Sequence, residues 1–431
     1  MSSILTNEGA SIALQTLRAI NSELATTQNE ISTGKRVARA GDNSAMWAIS
    51  KVMESDVASF KRVSDSLSLG QSTISVARQA SETVTDLLTQ IKGKVVAAQE
   101  SNVDRSKIQS DIGAMRDQID AVVQMAQFNG LALLQNKDTT AGSGSTSILA
   151  SMNRTSEGVT SSDITIRKRD LSTSAAVIAS TGGTYTAAAG TATVDATQTD
   201  SIDTSALVVS AGTAFSLSLF GTDADGSTFV QADYRTSALA APTQGEMATS
   251  DLSYVARDGD TMSDVVTALG RKWDAFASAN DIDGEVLDIA FSGTDITLSS
   301  TQSSASDQIT VTLSRLDADA GNTIGGGLDL LADLDVSTDN GATEALGRID
   351  SLLDIGIETS AAYGSDQNRL ETQQDFILSL SDSLKSGIGT LVDTDMEEAS
   401  ARLQALQVQQ QLATQALSIA NQSPRTLLSL F

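Results

Sequence analysis

Both ends of the chain carry the same apolar rhythm, and that rhythm restricts the fold more than any other feature. Ala10, Leu17, Leu24 and Ile31 stand seven residues apart, and Ala13, Ile20 and Thr27 each follow three places later. Near the other end Leu403, Gln410 and Leu417 stand seven apart, with Leu406, Ala413 and Ala420 three places behind them. A 3.5-residue repeat is the coiled-coil period, so both ends are predicted to be helices with a seam to bury. A second apolar set, Val408, Leu412 and Ile419, lies beside the C-terminal seam and predicts a helix that is sticky on more than one side. Thr33-Gly34 is a helix stop and Asp42 or Asn43 a cap for the next helix, near Ser44. Ile49, Val52, Met53, Val57 and Phe60 fit the buried face of that helix. A break near Gly130 ends the helical stretch, and Pro424 is expected to stop the last helix before the apolar tip of Leu427, Leu428, Leu430 and Phe431.

Between these ends the composition changes. From Asp138 to about Ala345 the chain turns to Thr, Ser, Ala, Gly and Asp. Phe215–Phe220, Ile289–Phe291, Ile296–Leu298 and Ile309–Leu313 alternate with the period of a strand. One helical insert runs Met262 to Phe276, and Gly142 to Ser145 and Gly325 to Gly327 are read as hinges at the base of the segment. The fold class is therefore α+β: a long-helix coiled-coil bundle formed by both chain ends, with a β-rich central insertion. The middle segment carries −20 of the net charge of −26, so its surface is acidic and solvated while the ends are nearly balanced.

Composition narrows the function. The 431 residues include no His and no Cys, which removes Ser-His-Asp triads, His or thiolate metal sites and cysteine nucleophiles. The acidic balance argues against nucleic acid and anionic membranes as partners. Aromatics are 3% of the chain, too few for a large aromatic-lined pocket. No apolar run has the length of a signal peptide or a membrane span. Asp223-Ala-Asp225-Gly226 and Asp281-Ile-Asp283-Gly284-Glu285 lack the full run of a Ca²⁺ loop and read as acidic turns. Asp393, Asp395, Glu397 and Glu398 read as the favoured acids of a helix start, not as a hydrolytic pair. Lys35, Arg36 and Arg39 form the one local basic cluster, either a solvated connector or a contact with acids of a neighbouring copy. No catalytic, cofactor or metal residues emerge; no cofactor is expected, and a structural protein is favoured over an enzyme.

The two ends also match a family. Ile31-Ser-Thr-Gly-Lys-Arg-Val-Ala-Arg-Ala-Gly-Asp-Asn-Ser-Ala-Met-Trp-Ala-Ile-Ser50 and Gln127-Phe-Asn-Gly130 resemble the N-terminal pattern of bacterial flagellin. Val392-Asp-Thr-Asp395, Gln409-Gln-Gln-Leu412 and Leu417-Ser-Ile-Ala-Asn-Gln-Ser-Pro424-Arg-Thr-Leu-Leu-Ser-Leu-Phe431 resemble its ending. The likeness covers residues 1–137 and 346–431. Trp47 stands where the family has a small aliphatic residue. Gly93, Lys94 and Asp111 depart from the segment linked to innate-receptor binding, which argues against that recognition and looks like the alphaproteobacterial type.

The resemblance implies a structural subunit that polymerises into the bacterial flagellar filament for swimming motility. The alternatives are a hook–filament junction protein, or a secreted adhesin with flagellin-like ends. It implies that 1–42 and 390–431 form an inner coiled-coil core, 43–137 and 346–389 a helical shell, and 138–345 a surface-exposed variable β-rich region. The expected subunit interface is Leu17, Ile20, Leu24, Ile31, Lys35, Arg36, Arg39, Leu403, Leu406, Leu417, Leu427, Leu428, Leu430 and Phe431. Implied partners are other copies of the chain, a flagellar cap, hook-junction proteins, an export chaperone and the type III export apparatus, with an extracellular location.

Overall fold

The computed structural model describes residues 7–428 except 156–157, 196–197, 225, 227–228, 281 and 302–306, and for 423–428 it describes the backbone path alone. The chain divides into two units. The first comprises Met1–Asp65, Ser151–Ser161 and Gln374–Phe431; the second comprises Ser66–Ala150 and Ser162–Gln373.

In the first unit, helix α1 (Glu8–Thr33) starts where the Asn7 side chain accepts from the Ala10 amide and ends at Gly34, whose φ of 68° only glycine adopts without strain. Two long helices, α2 (Ser44–Ala98) and α6 (Asp339–Val392), each contribute residues to both units. Helix α7 (Met396–Leu428) completes the first unit. The Asn43 carboxamide oxygen caps α2 by accepting from the Met46 amide at 3.1 Å. Not all of the apolar residues expected on the inner face of α2 are covered, because Ile49 and Val52 are 53% and 45% exposed.

The α2 seam that is buried lies further on. Val63, Leu67, Ile74, Ala77, Val84, Leu88, Ile91, Val95 and Ala98 alternate steps of three and four, with Gly70 and Ser81 filling the gaps. Within the second unit this seam meets α3 (Arg105–Met125), which buries Ile112, Ile119 and Val123, and the Ile349, Leu352, Tyr363 and Leu370 face of α6. Gly70 makes room there for a neighbour: a Cβ would stand 2.5 Å from Ile148 Cδ1 and displace that side chain. The break foreseen near Gly130 is a hairpin of β1 (Gln127–Phe128) and β2 (Leu131–Ala132), turned by Asn129 and Gly130, both at positive φ.

The middle of the chain is β-rich, as its alternation predicts. β3 (Ser145–Thr155) pairs with β4 (Gly158–Arg167). β5 (Tyr185–Val194), β6 (Thr199–Asp203), β7 (Ala214–Thr222), helix α4 (Gln244–Ala248), β8 (Ser253–Val255), α5 (Met262–Ala279), β9 (Asp288–Ser292), β10 (Asp295–Ser299) and β11 (Gln308–Leu316) follow. One antiparallel sheet has the order β5-β11-β7-β8 and another β6-β10-β9. Their core gathers Phe215, Leu217, Leu219, Ile309, Val311 and Leu313 with Trp273 and Leu269 of α5. β7 is buried on both faces, so its Ser216 and Ser218 lie inside along with its apolar residues.

The glycine pairs read as hinges are close-approach points, Gly142 apart. A Cβ at Gly144 would lie 2.0 Å from the Asp258 carbonyl, and one at Gly326 1.8 Å from that of Ser172. The Gly326 amide donates to Ser174 O at 2.7 Å and the Leu328 amide to Ser172 O at 3.1 Å, while Val177 and Thr323 exchange two bonds. Residues 172–177 and 323–328 therefore run beside each other as bonded neighbouring segments. Among the described residues no helix is long and apolar enough to cross a membrane.

Candidate functional site

In the first unit the two chain ends lie antiparallel along each other. The Asn7 side-chain amide donates to Ala420 O at 2.9 Å, the Gln410 side-chain amide to Asn21 Oδ1 at 2.7 Å, and the backbones of Lys35 and Asp393 pair antiparallel. The residues turned inward are the heptad positions: Leu17, Ile20, Leu24 and Ile31 are partly buried, Thr27 is 2% exposed, and on α7 Leu403 and Leu417 are partly buried while Leu406 and Ala413 are buried.

Pairing does not exhaust the apolar surface. Val408, Leu412 and Ile419 remain 56%, 58% and 70% exposed, and Ile12 on α1 65%. The second stripe seen in the sequence is therefore uncovered in the single chain. An uncovered row of large apolar side chains is the mark of an interaction surface.

Pro424 does not stop α7, which continues to Leu428. A proline inside a helix leaves the carbonyl four residues earlier without its donor. That carbonyl belongs to Ala420, and the Asn7 side chain donates to it. One asparagine thus caps α1, satisfies the acceptor orphaned by Pro424 and pins the two helix ends together. Leu427 and Leu428 lie on the α7 backbone, their side chains outside the described residues, as are Leu430 and Phe431 altogether.

The join between the core helices and the long ones is built by the connector 34–43 and residues 389–396. Arg36 and Val37 amides both donate to Val392 O, at 2.7 and 3.3 Å, and the Thr394 amide donates to Gly34 O at 3.1 Å. Val37 and Val392 are buried beneath these bonds. Asp42 Oδ2 accepts from the Ala38 and Arg39 amides at 3.0 Å each, which folds the connector back on itself. Asp395 caps α7 by accepting from the Glu397 and Glu398 amides at 2.9 and 3.2 Å. The acidic group at 393–398 is therefore the helix start its pattern suggested.

The basic cluster finds partners within its own chain. Lys35 pairs with Glu54 at 3.9 Å, Arg39 with Asp42 at 3.7 Å, and the Arg36 guanidinium donates to Leu391 O at 3.2 Å. All three pairs are substantially exposed, so they contribute little to stability. The hydrogen bond from Lys51 is the main reason that the Glu54 carboxyl lies below its usual range. Trp47 sits in the first turn of α2, partly buried. Lys94 and Asp111, two of the departures from the family pattern, form an ion pair at 2.6 Å, so one departure accommodates the other.

Asp223, in the first of the two acidic loops, accepts from the Gly226 and Phe229 amides at 2.6 and 3.0 Å, and Asp283 of the second accepts from the Glu285 amide at 2.9 Å. These oxygens close turns. Asp225 and Asp281 lie outside the described residues.

Comparison with known proteins agrees with this arrangement at both ends. The bacterial flagellin N-terminal helical region matches residues 4–139, and the bacterial flagellin C-terminal helical region matches residues 346–431. Flagellin A of Rhizobium meliloti is 32% identical over 437 residues, and Flagellin B of the same species 33% over 438, each alignment covering all of both chains. Flagellin FljK of Caulobacter vibrioides is 27% identical over 434 residues, covering 100% of this chain and 99% of that one. Heptad seams at both ends, a structured connector between them and full-length likeness around a β-rich middle place this chain in the bacterial flagellin family, among the alphaproteobacterial flagellins.

Proposed function

We propose that the paired chain ends are the assembly core of this flagellar filament subunit, and that the uncovered stripe of Val408, Leu412 and Ile419 is the surface by which one copy meets the next. The observation that carries this reading is the exposure of that stripe beside a seam already filled by Leu17, Ile20, Leu24, Ile31, Leu403, Leu406 and Leu417. No described residue of the single chain covers it, and a neighbouring copy in a helical polymer would. We assign contacts between copies to the tip residues Leu427, Leu428, Leu430 and Phe431 as well, and charge contacts to Lys35, Arg36 and Arg39. Residues 1–42 and 390–431 then form the inner core, 43–137 and 346–389 the helical shell, and the acidic segment 138–345 the outer face. The role is structural and non-enzymatic, in an extracellular filament that drives swimming. Partners beyond further copies are the cap, the hook-junction proteins, the export chaperone and the export apparatus.

Full-length likeness to flagellins, β-rich middle included, supports the many-copy filament over the hook–filament junction. Truncation after Ser423 tests the reading: soluble monomer with intact helical circular dichroism and no filaments by electron microscopy is the expected result. Normal filaments from the truncated chain would refute it.

A further inference from the structure

Within the second unit, six of the chain's 28 basic residues surround one cleft of about 250 Å³: Arg167, Lys168, Arg169, Arg257, Arg271 and Lys272. In a protein of net charge −26 such a gathering calls for compensation, and the five carboxylates of the same lining, Asp170, Asp260, Asp264, Asp329 and Glu358, fall one short. Arg167 pairs with Asp260 at 2.8 Å and Asp264 at 3.2 Å, Lys272 with Asp329 at 2.8 Å, and Arg271 with Glu358 at 3.0 Å. Lys168, Arg169 and Arg257 have no carboxylate within 4.0 Å among the described residues.

Arg257 carries the argument furthest. Its guanidinium donates to two uncharged acceptors, Tyr254 Oη at 2.9 Å and Gly325 O at 3.0 Å. Its Nε is buried without any partner. The nearby acids are committed elsewhere. Asp260 accepts from Arg167, from the Tyr254 hydroxyl at 2.6 Å and from the Arg257 amide at 2.7 Å. Asp170 accepts from the Asn136 and Ser172 amides, both at 2.8 Å, and from Ser172 Oγ at 2.6 Å. A guanidinium bonded only to uncharged acceptors, beside two further cations without a carboxylate partner, is the arrangement that holds an anion.

We propose that this cleft binds a small tetrahedral oxyanion of the phosphate class, held by Arg257, Lys168 and Arg169. The volume lies below that of pockets for drug-sized organic ligands, and the charged lining does not suit an apolar one. Bound there, the anion ties the 167–170 strand end to the loop before α5, whose Arg257 already bonds Gly325 O, bracing the base of the β-rich segment.

The test uses the full-length chain kept monomeric, with inorganic phosphate titrated against chloride at constant ionic strength. Calorimetric titration and thermal melting are both read. A saturable heat is expected, with a rise in melting midpoint that follows one plus the ratio of phosphate to its dissociation constant. Lys168→Ala with Arg169→Ala should weaken binding at least tenfold. Arg257→Lys, which keeps the charge and the fold but loses the fork, should weaken it similarly. A midpoint rise of equal size in the parent and the double variant would be the general salting effect of phosphate and would overturn the site. Absence of saturable heat in the parent would overturn it as well.

Discussion

Leu406 and Leu412 lie six residues apart on the same helix, and replacing each with alanine separates pairing within one chain from contact between chains. Leu406 is 4% exposed in the seam against α1, whereas Leu412 is 58% exposed. Leu406→Ala deletes three buried carbons and leaves a gap that two helices close only in part, a loss of about 2–3 kcal/mol at the low end of core truncations. That loss falls on the fold of the first unit and lowers its melting temperature in the monomer. Leu412→Ala deletes the same carbons from a mostly uncovered side chain. At about 0.8 kcal/mol per carbon the whole group is worth about 2.4 kcal/mol, and the 58% still open leaves about 1.4 kcal/mol to be gained on assembly. That is roughly a tenfold rise in the critical concentration for polymerisation. The monomer should lose only the remaining share, about 1 kcal/mol. Sedimentation of filaments over a concentration series measures the first quantity, and thermal circular dichroism the second. A Leu412→Ala chain that polymerises at the parent's critical concentration would refute the stripe as the intersubunit surface.

Asn7→Ala removes the α1 cap and the donor to Ala420 O together, costing about 1–3 kcal/mol of pairing and increasing amide exchange at both helix ends. Tyr363→Phe removes a buried hydroxyl that donates to Leu133 O at 2.8 Å and accepts from the Arg169 amide at 3.1 Å; urea unfolding should show a loss of about 1–3 kcal/mol. Moderate salt should speed polymerisation of the −26 subunit, since repulsion beyond about 8–10 Å is screened, and light scattering across a salt series reads this directly. Joining Ser174 to Gly326, whose backbones are already hydrogen-bonded, through a short Gly/Ser linker should keep the helices and give thinner filaments by electron microscopy. No filaments at any concentration would place the main lateral contacts in the removed segment.

The seven-residue spacing of Leu and Ile at both ends determined the inner helices, because a helix repeats every 3.6 residues and a side chain's place on its face follows from its number alone. Gly34, Asn43 and Asp395 marked their own roles, since positive φ and helix capping are local properties of one residue and the three beside it. The alternation in β7 and β11 announced strands for the same reason. What the numbering could not show was the partner. The α2 seam from Val63 to Ala98 keeps perfect register, yet Gly70, Ala77 and Ser81 interrupt its apolar signal; only the approach of Ile148 and Ser360 explains why small residues stand there. Glycines at 325–327 looked like freedom and turned out to be contact, because a missing Cβ serves a flexible hinge and a crowded backbone equally well. Pro424 looked like a stop and is tolerated, because a side chain more than four hundred residues away supplies the lost hydrogen bond. Periodicity and capping are written in short stretches of chain, whereas which surfaces meet and which are left open depends on residues that only folding brings together.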